Sequence, residues 1–257
     1  MPDIDINELG SLDLHAHTNM SDGDLPLARV VEIAESRGVK IGIADHISSR
    51  NFNRFISTEK RLRNYLDAIE RFPVFRSGEL CWCDDFGAAI PPDLLGRFDY
   101  LIGSNHGFPL PNGTLGSPWW STLPGEWTNN PHGLMDIMVD SLCGLVREMP
   151  VQIIAHSTLM PPALLRIEPD VEEWWTDERE DRFVDAFSGS EVAMEISNRY
   201  RLPHDRVLKK AKEAGVRFSL GSDGHNENQI GRLDWALATA RRIGITPAGM
   251  FVPDSAN

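Results

Sequence analysis

Short apolar, β-rich runs and amphipathic helical stretches alternate along almost the whole chain, and this alternation constrains the fold more than any other feature. The apolar runs fall at 11–18, 41–46, 74–80, 100–106, 151–157, 192–198 and 217–225. Between them apolar residues recur with the helical period. Leu27, Val30, Val31 and Ala34 share one face, with Asp24 and Pro26 ahead as start signals and Gly38 behind as a stop. Leu134, Ile137, Met138, Ser141, Leu142, Leu145 and Met149 mark a second helix, and Val207, Leu208, Ala211 and Ala214 a third that runs to Gly215. Strand and helix in alternation make a parallel sheet covered by helices, so the expected class is α/β. Seven strands suit either a doubly wound sheet or a barrel, and the barrel is preferred. A chain of 257 residues, 41% hydrophobic and 25% charged, is large enough for one full core, and 1–257 is read as a single domain.

Residues 107–131 break the pattern. They are rich in Gly, Pro, Asn and Ser yet carry Trp119, Trp120 and Trp127. Long loops in compact domains usually serve as lids or binding loops, so a lid-like insertion is one reading. The other is an apolar flap packed on a neighbouring element or a second subunit. Three cysteines cannot make a disulfide framework, which points to a reducing compartment. Residues 1–11 carry Asp3, Asp5 and Glu8 and lack the basic and apolar segments of a signal peptide. With no apolar run near the ~18 residues of a membrane helix, a cytoplasmic location without membrane contact is expected. The formal charge of −13 counts against a general nucleic-acid binder and makes long nucleic acid a poor partner. An anionic substrate stays compatible if bound cations supply a local positive field.

The placement of the histidines carries the chemistry. Of eight, His15, His17, His46, His106, His156 and His225 all sit at the C-terminal ends of predicted strands. In parallel α/β architectures that edge is where sites form. His15 and His17 are two apart, as are Asp223 and His225, and a strand's period of two turns each pair to one face. Carboxylates occupy equivalent places: Glu79 ends the third strand, Asp22 follows the first and Asp223 ends the seventh. Imidazole and carboxylate together favour Zn, Mn or Fe over Mg or Ca. A carboxylate can bridge two ions ~3.5–4 Å apart, and Glu79 is the candidate bridge.

These residues lie in motifs that resemble those of the PHP (polymerase and histidinol phosphatase) family. They are Asp13-Leu14-His15-Ala16-His17-Thr18, Ser21-Asp22-Gly23, Ala44-Asp45-His46, Gly78-Glu79, Gly103-Ser104-Asn105-His106, Ala155-His156 and Gly221-Ser222-Asp223-Gly224-His225, in that order along the chain. The resemblance implies a distorted seven-stranded (β/α) TIM-like barrel with a trinuclear centre, a metal-dependent phosphoesterase holding two or three divalent transition ions. By motif position, His15, His17, Glu79 and Asp223 would hold one ion, Glu79, His106 and His156 a second, and Asp22, His46 and His225 a third. The family often shows Glu-x-Asn at the end of the sixth strand, where this chain has Glu195-Ile196-Ser197 followed by Asn198. Asp13 and Asp45 are either carboxylates behind the ligands, accepting their free ring N–H groups, or plain structural residues.

The expected chemistry is attack by a metal-bridging hydroxide, since a metal lowers the pKa of water from ~15.7 toward ~7. Glu79, Asp223 and His225 are therefore candidate catalytic residues. Arg199 and Arg201, which follow the sixth strand, join them as candidate phosphate-binding forks. His132 and His204 could protonate a leaving group, but loops and helix starts often carry such residues without function. Cys81 and Cys83 follow Glu79 at spacing two, as a soft metal site could, but without a second Cys pair they read rather as buried packing residues. Trp174 and Trp175 read as a helix docking face. The leading expectation is a phosphomonoesterase acting on a small anionic metabolite. Alternatives are a phosphodiesterase or nuclease on short nucleotides, an amidohydrolase-type C–N or C–O hydrolase, and an inert metal-binding module. Amidohydrolase sites often use a carboxylated Lys, and no Lys stands at a strand end here.

Overall fold

The computed structural model describes residues 11–50 and 54–254. Residues 1–10, the greater part of the stretch read above for a leader, lie outside the described residues. The strands are β1 (Leu12–Ala16), β2 (Lys40–Ile43), β3 (His46–Ile47), β4 (Phe75–Arg76), β5 (Glu79–Cys81), β6 (Ile102–Ser104), β7 (Phe108–Pro109), β8 (Leu115–Gly116), β9 (Ile153–Ile154), β10 (Ala193–Ser197) and β11 (Arg217–Gly221). β1, β2 and β4 form one parallel sheet, and β11, β10, β9, β6, β5 and β3 a second in that order. β7 and β8 make a separate antiparallel hairpin. The molecule is thus mixed α/β with parallel sheets.

Each of the seven apolar runs contains strand, but two are split. The run 41–46 becomes β2 and β3, and the run 74–80 becomes β4 and β5. At the first break the Asp45 carboxylate accepts from Thr18 N at 2.9 Å, Thr18 Oγ1 at 2.6 Å and Ser21 Oγ at 2.5 Å. These bonds tie the break to the segment after β1. Ser77 N still donates to Ile43 O at 3.0 Å and Glu79 N to Asp45 O at 3.1 Å, so the split runs stay side by side. Ala16 and Gly224 form a parallel bridge. His17 N donates to Gly224 O at 2.9 Å and Asp24 N to His225 O at 2.7 Å. The first and last strands therefore end next to each other.

The helices bury the faces their periodicity marks. Leu27–Ser36 buries Leu27, Val30, Val31 and Ala34, and Pro131–Glu148 buries Leu134, Met138, Ser141, Leu142 and Leu145. Asp205–Glu213 buries Val207, Leu208 and Ala211. Gly38 and Gly215 follow the first and last of these at φ +66 and +77, which only glycine adopts without strain. Trp174 and Trp175 are fully buried, as a docking face requires. Burial of side chains of this class stabilises by about 1.5–3 kcal/mol each, which pins the helices that back the strand ends. Among the described residues no helix is long and apolar enough to cross a membrane.

Residues 107–131 are not structureless. They contain the β7–β8 hairpin and the short helix Gly125–Thr128, and Trp120, Leu123 and Trp127 pack against the main core. Trp119 remains 47% exposed.

Candidate metal centre

The nine side chains singled out by position meet at one edge of the sheets. His15 Nε2 and His17 Nε2 are 3.1 Å apart, and Asp223 Oδ1 lies 3.2 Å from His17 Nε2. Glu79 Oε2 lies 3.6 Å from each of these two ring nitrogens. The other Glu79 oxygen faces His156 Nε2 at 3.3 Å and His106 Nε2 at 3.5 Å. Asp22 Oδ1 is 3.3 Å from His225 Nε2 and 3.6 Å from His17 Nδ1, and Asp22 Oδ2 is 3.4 Å from His46 Nε2. Three of the four donor groups able to share an ion are His15–His17–Glu79, Glu79–His106–His156 and His17–Asp22–His46–His225. They follow the three sets that the motif positions imply, except that His17 also joins the Asp22 set and that Asp223, although 3.2 Å from His17 Nε2, falls in none of the groups.

The donor set fits divalent transition ions on its spacing. Ligands ~2.0–2.1 Å from a tetrahedral ion stand ~3.3 Å from one another, close to the separations above. Two details argue against hydrogen bonding as the sole reason for the crowding. His17 Nδ1 and His46 Nδ1 are buried without a hydrogen-bond partner, although His46 Nδ1 approaches Glu79 Oε2 to 2.9 Å. Buried polar atoms left unpaired cost about 1–3 kcal/mol each, and a shared cation between imidazole and carboxylate removes that cost. The charge states of Glu79, Asp223 and His17 also suit ligation. Burial raises the Glu79 and Asp223 carboxyls, but the surrounding imidazoles outweigh it and hold both below the usual carboxylate range. Burial, and the charge of neighbouring imidazoles, lowers His17 to about 3, which leaves one of its two ring nitrogens with a lone pair free to ligate. Burial also disfavours the charged forms of His15, His46 and His106, but carboxylates outweigh it, Glu195 and Glu79 beside His15 and Glu79 beside the other two. All three are raised toward a protonated form that a cation would have to displace.

Local chain chemistry explains how these groups are held. His15 and His17 alternate about Ala16 at the end of β1, and His46 opens β3 in register with Glu79 of β5. His156 (φ 29) and Asp223 (φ 47) have left-handed backbone just beyond β9 and β11. Such conformations cost about 1–3 kcal/mol and persist where the surroundings enforce them. This also explains why the strands end earlier than the apolar runs suggest.

The carboxylate behind the ligands is Glu195. Its Oε1 lies 2.6 Å from His15 Nδ1 and its Oε2 accepts from His156 N at 2.9 Å, joining ligands from two different strands. A Cβ at Gly221 would run into Glu195 Oε1, so glycine there is a steric requirement of this contact. Of the two readings of Asp13 and Asp45, the hydrogen bonds match the structural one, since neither carboxylate bonds to a ring of the histidine cluster. Asp13 accepts from Ser222 N and Gly231 N, both at 2.9 Å, and stitches β1 to the segment after β11. Asp45 ties the β2–β3 break, as described above. The amide at Asn198 leaves the site altogether, accepting from Trp235 N at 2.9 Å and Ala236 N at 3.1 Å at the start of the helix Asp234–Ile243.

A cavity of ≈ 420 Å³ opens over the cluster. Arg199 lines it, with Nη1 2.6 Å from His225 Nδ1 and 3.5 Å from Asp223 Oδ1. Arg201 is exposed, at φ 57, and is not among the residues lining the cavity. His132 stacks on Trp174 at 4.9 Å, and His204 Nε2 lies 2.8 Å from Glu180 Oε1. Neither lines the cavity.

The packing expectation for the two cysteines is corrected. Cys83 is exposed, whereas Cys81 lines the cavity with Sγ 3.4 Å from His106 Nδ1. Burial pushes the Cys81 thiol up, but His106 and His46 more than reverse this and bring it to about 6. His46, Cys81 and His106 form the fourth group whose donor atoms could share an ion. A spacing of two from Glu79 would ordinarily put Cys81 on that residue's face of a strand, a signal available in the sequence. Arg50, Phe55 and Tyr200 also line the cavity and were not singled out, since they arrive on loops with no motif of their own.

No family model matches the chain. Over 251 residues it is 23% identical to the DNA polymerase/3'-5' exonuclease PolX of Bacillus subtilis (strain 168). The match covers 93% of this chain and 39% of that protein, so the chain spans about two fifths of the relative's length. An α/β chain with histidine and carboxylate groups able to hold metal ions is thus similar, at low identity, to part of an enzyme of that description.

Proposed function

We propose that this chain is a metal-dependent hydrolase of phosphate esters, acting on monoesters of small metabolites. The observation that carries the reading is the convergence of nine imidazole and carboxylate side chains at ligand–ligand spacing beneath a cavity that also presents two guanidinium groups, Arg50 and Arg199. Strands and loops from the whole chain contribute. On this reading the two parallel sheets continue one another through the split strands and close at the Ala16–Gly224 bridge into a distorted seven-stranded barrel, one domain with 107–131 as a lid-like insertion. His15, His17, Glu79 and Asp223 hold one ion, Glu79, His106 and His156 a second, and Asp22, His46 and His225 a third, with Zn, Mn and Fe suited to the donors.

Ions so held supply Lewis acidity and make water nucleophilic near neutral pH. The protein's own part is orientation and charge. Glu79 divides its two oxygens between the first and second donor sets, and Glu195 fixes the His15 ring so that Nε2 faces inward. Arg199, between Asp223, His225 and the open cavity, is placed to hold phosphoryl oxygens, and Arg50 faces the same space. Phosphoryl transfer asks mainly for such positioning and for cations near the phosphoryl oxygens.

A second reading, hydrolysis of phosphodiesters in short nucleotides, is favoured by the likeness to a protein named as an exonuclease. A panel of p-nitrophenyl phosphate, bis-p-nitrophenyl phosphate and an acyl amide, run with Zn, Mn and Fe in turn, separates the readings. Turnover of the monoester above the diester is the expected result; the reverse order selects the second reading. Turnover of the amide alone overturns both.

A further inference from the structure

The tryptophan of the inserted segment has a use that the hydrolytic centre leaves unassigned. Among the described residues the large apolar side chains left exposed are Leu115, Trp119, Ile167 and Val252, and of these Trp119 alone lines the cavity over the metal cluster. Its exposure is not the result of a loose loop. Trp119 N donates to Ser117 Oγ at 3.2 Å. The next residue is anchored: Trp120 O accepts from Ala163 N at 3.0 Å, and its ring meets Phe108 edge-on at 6.0 Å. The segment therefore packs the half-buried Trp120 against the core and holds the neighbouring indole out over the site.

The surroundings of that indole are aromatic and cationic. Its ring lies 6.3 Å from His106 and 5.8 Å from Tyr200, and Tyr200 packs edge-on against His156 at 5.3 Å. The Arg199 guanidinium stands 5.2 Å from the Tyr200 ring. Indole and phenol are already at aromatic contact distance, so no ring fits between them. Tyr200 instead packs against the indole at a tilt of 42°, and Trp119 still keeps 47% of its surface exposed. A flat, polarisable surface fixed beside a phosphate-binding cation is the arrangement by which proteins stack a planar ring while holding the attached phosphate.

We propose that Trp119, supported by Tyr200, is the specificity surface of this centre and that its substrate carries a planar aromatic group beside the scissile phosphate. That group is joined to the phosphate directly, as in an aryl phosphate, or through a sugar, as in a nucleotide. This rests on the phosphoester reading above.

The test compares adenosine 5′-monophosphate with ribose 5-phosphate, both of which lose a primary C5 alkoxide, and adds phenyl phosphate with glycerol phosphate. The leaving groups of the second pair differ in acidity, so in that pair the change of ratio on substitution is what counts. In the wild type, the aromatic member of at least one pair has the higher kcat/KM. Trp119→Ala lowers that aromatic-to-aliphatic ratio about 5- to 100-fold, and Trp119→Phe restores much of it. The nucleotide pair or the phenyl pair responds according to which linkage the site takes. Binding of adenosine and of phenol by calorimetry, lost in Trp119→Ala, gives a readout that needs no turnover. If no phosphate ester turns over but an aromatic ligand still binds through Trp119, the hydrolase reading fails and the stacking surface stands. Ratios unchanged in Trp119→Ala overturn the proposal, as does aromatic binding that the variant retains, or a change of oligomeric state as the variant's sole effect.

Discussion

Glu195 shows how much of the centre depends on a residue that binds no substrate. It meets His15 Nδ1 and His156 N from β10, which lies between β9 and β11, and Gly221 keeps the space it needs. Glu195→Gln removes the charge while keeping the shape. Metal affinity is expected to fall about 10- to 100-fold, read by competition with a chromophoric chelator; unaltered affinity would show the carboxylate to be a bystander. His15→Ala and Asp223→Ala are expected to abolish phosphoester turnover with the circular dichroism spectrum kept, and near-normal turnover in either removes the cluster from the reaction. The histidines were legible in the sequence because each stands at or just past an apolar run, where strand period and sheet edge determine its direction. Glu195 was legible only as the first residue of a family motif from which the chain departs at Ser197. Its partners are 180 and 39 positions away, and no local pattern states that pairing. Arg199 reaches the cavity and Arg201 does not, although both follow the same strand. Side-chain direction on a tight turn with left-handed φ cannot be read from spacing.

At the level of elements, the alternation of strand and helix was legible and the interruptions were not. β2 gives way to β3 where Asp45 turns to take three donors from residues 18 and 21, a tertiary demand that overrides local propensity. Asn198 belongs to an element rather than to the site. It accepts two N–H groups at the start of Asp234–Ile243, so Asn198→Ala is expected to cost about 0.5–2 kcal/mol in denaturant unfolding and to leave metal content as it was. Loss of metal without loss of stability would reverse that assignment.

The packing of Asp177–Asp185 on Asp205–Glu213 gives a pH dependence. Burial lowers His204 below its ordinary value of about 6.5 even though Glu180 lies beside it. The unfolded chain then binds the proton more readily than the folded one, so this contribution is whole above about pH 6.5 and is lost as pH falls below it. Urea midpoints of the wild type are expected to drop more steeply than those of His204→Gln between about pH 6.5 and 5. Parallel curves would show that His204 is not the group responsible.

For the whole molecule, the donors come from residues 15 to 225 and lie on or just after six of the eleven described strands, so ions held there would staple the fold as well as serve the chemistry. Ions present at about 100 times their dissociation constant stabilise by about 2.7 kcal/mol for one site. Chelation is accordingly expected to lower Tm by several degrees and re-addition of Zn, Mn or Fe to restore it; a Tm indifferent to chelator would mean the donors hold nothing in solution. The α/β class followed from periodicity alone. The joining of the sheets depends on short bridges such as Ala16–Gly224, which periodicity does not register.

The most direct test of the central claim is the metal content of chain purified without chelator, incubated with Zn, Mn or Fe, and freed of unbound ions. About two to three ions per chain are expected, given donor groups of the observed spacing, with loss in His15→Ala and Asp223→Ala. Less than about one ion per chain under every condition, with the wild type and both variants alike, would contradict the account.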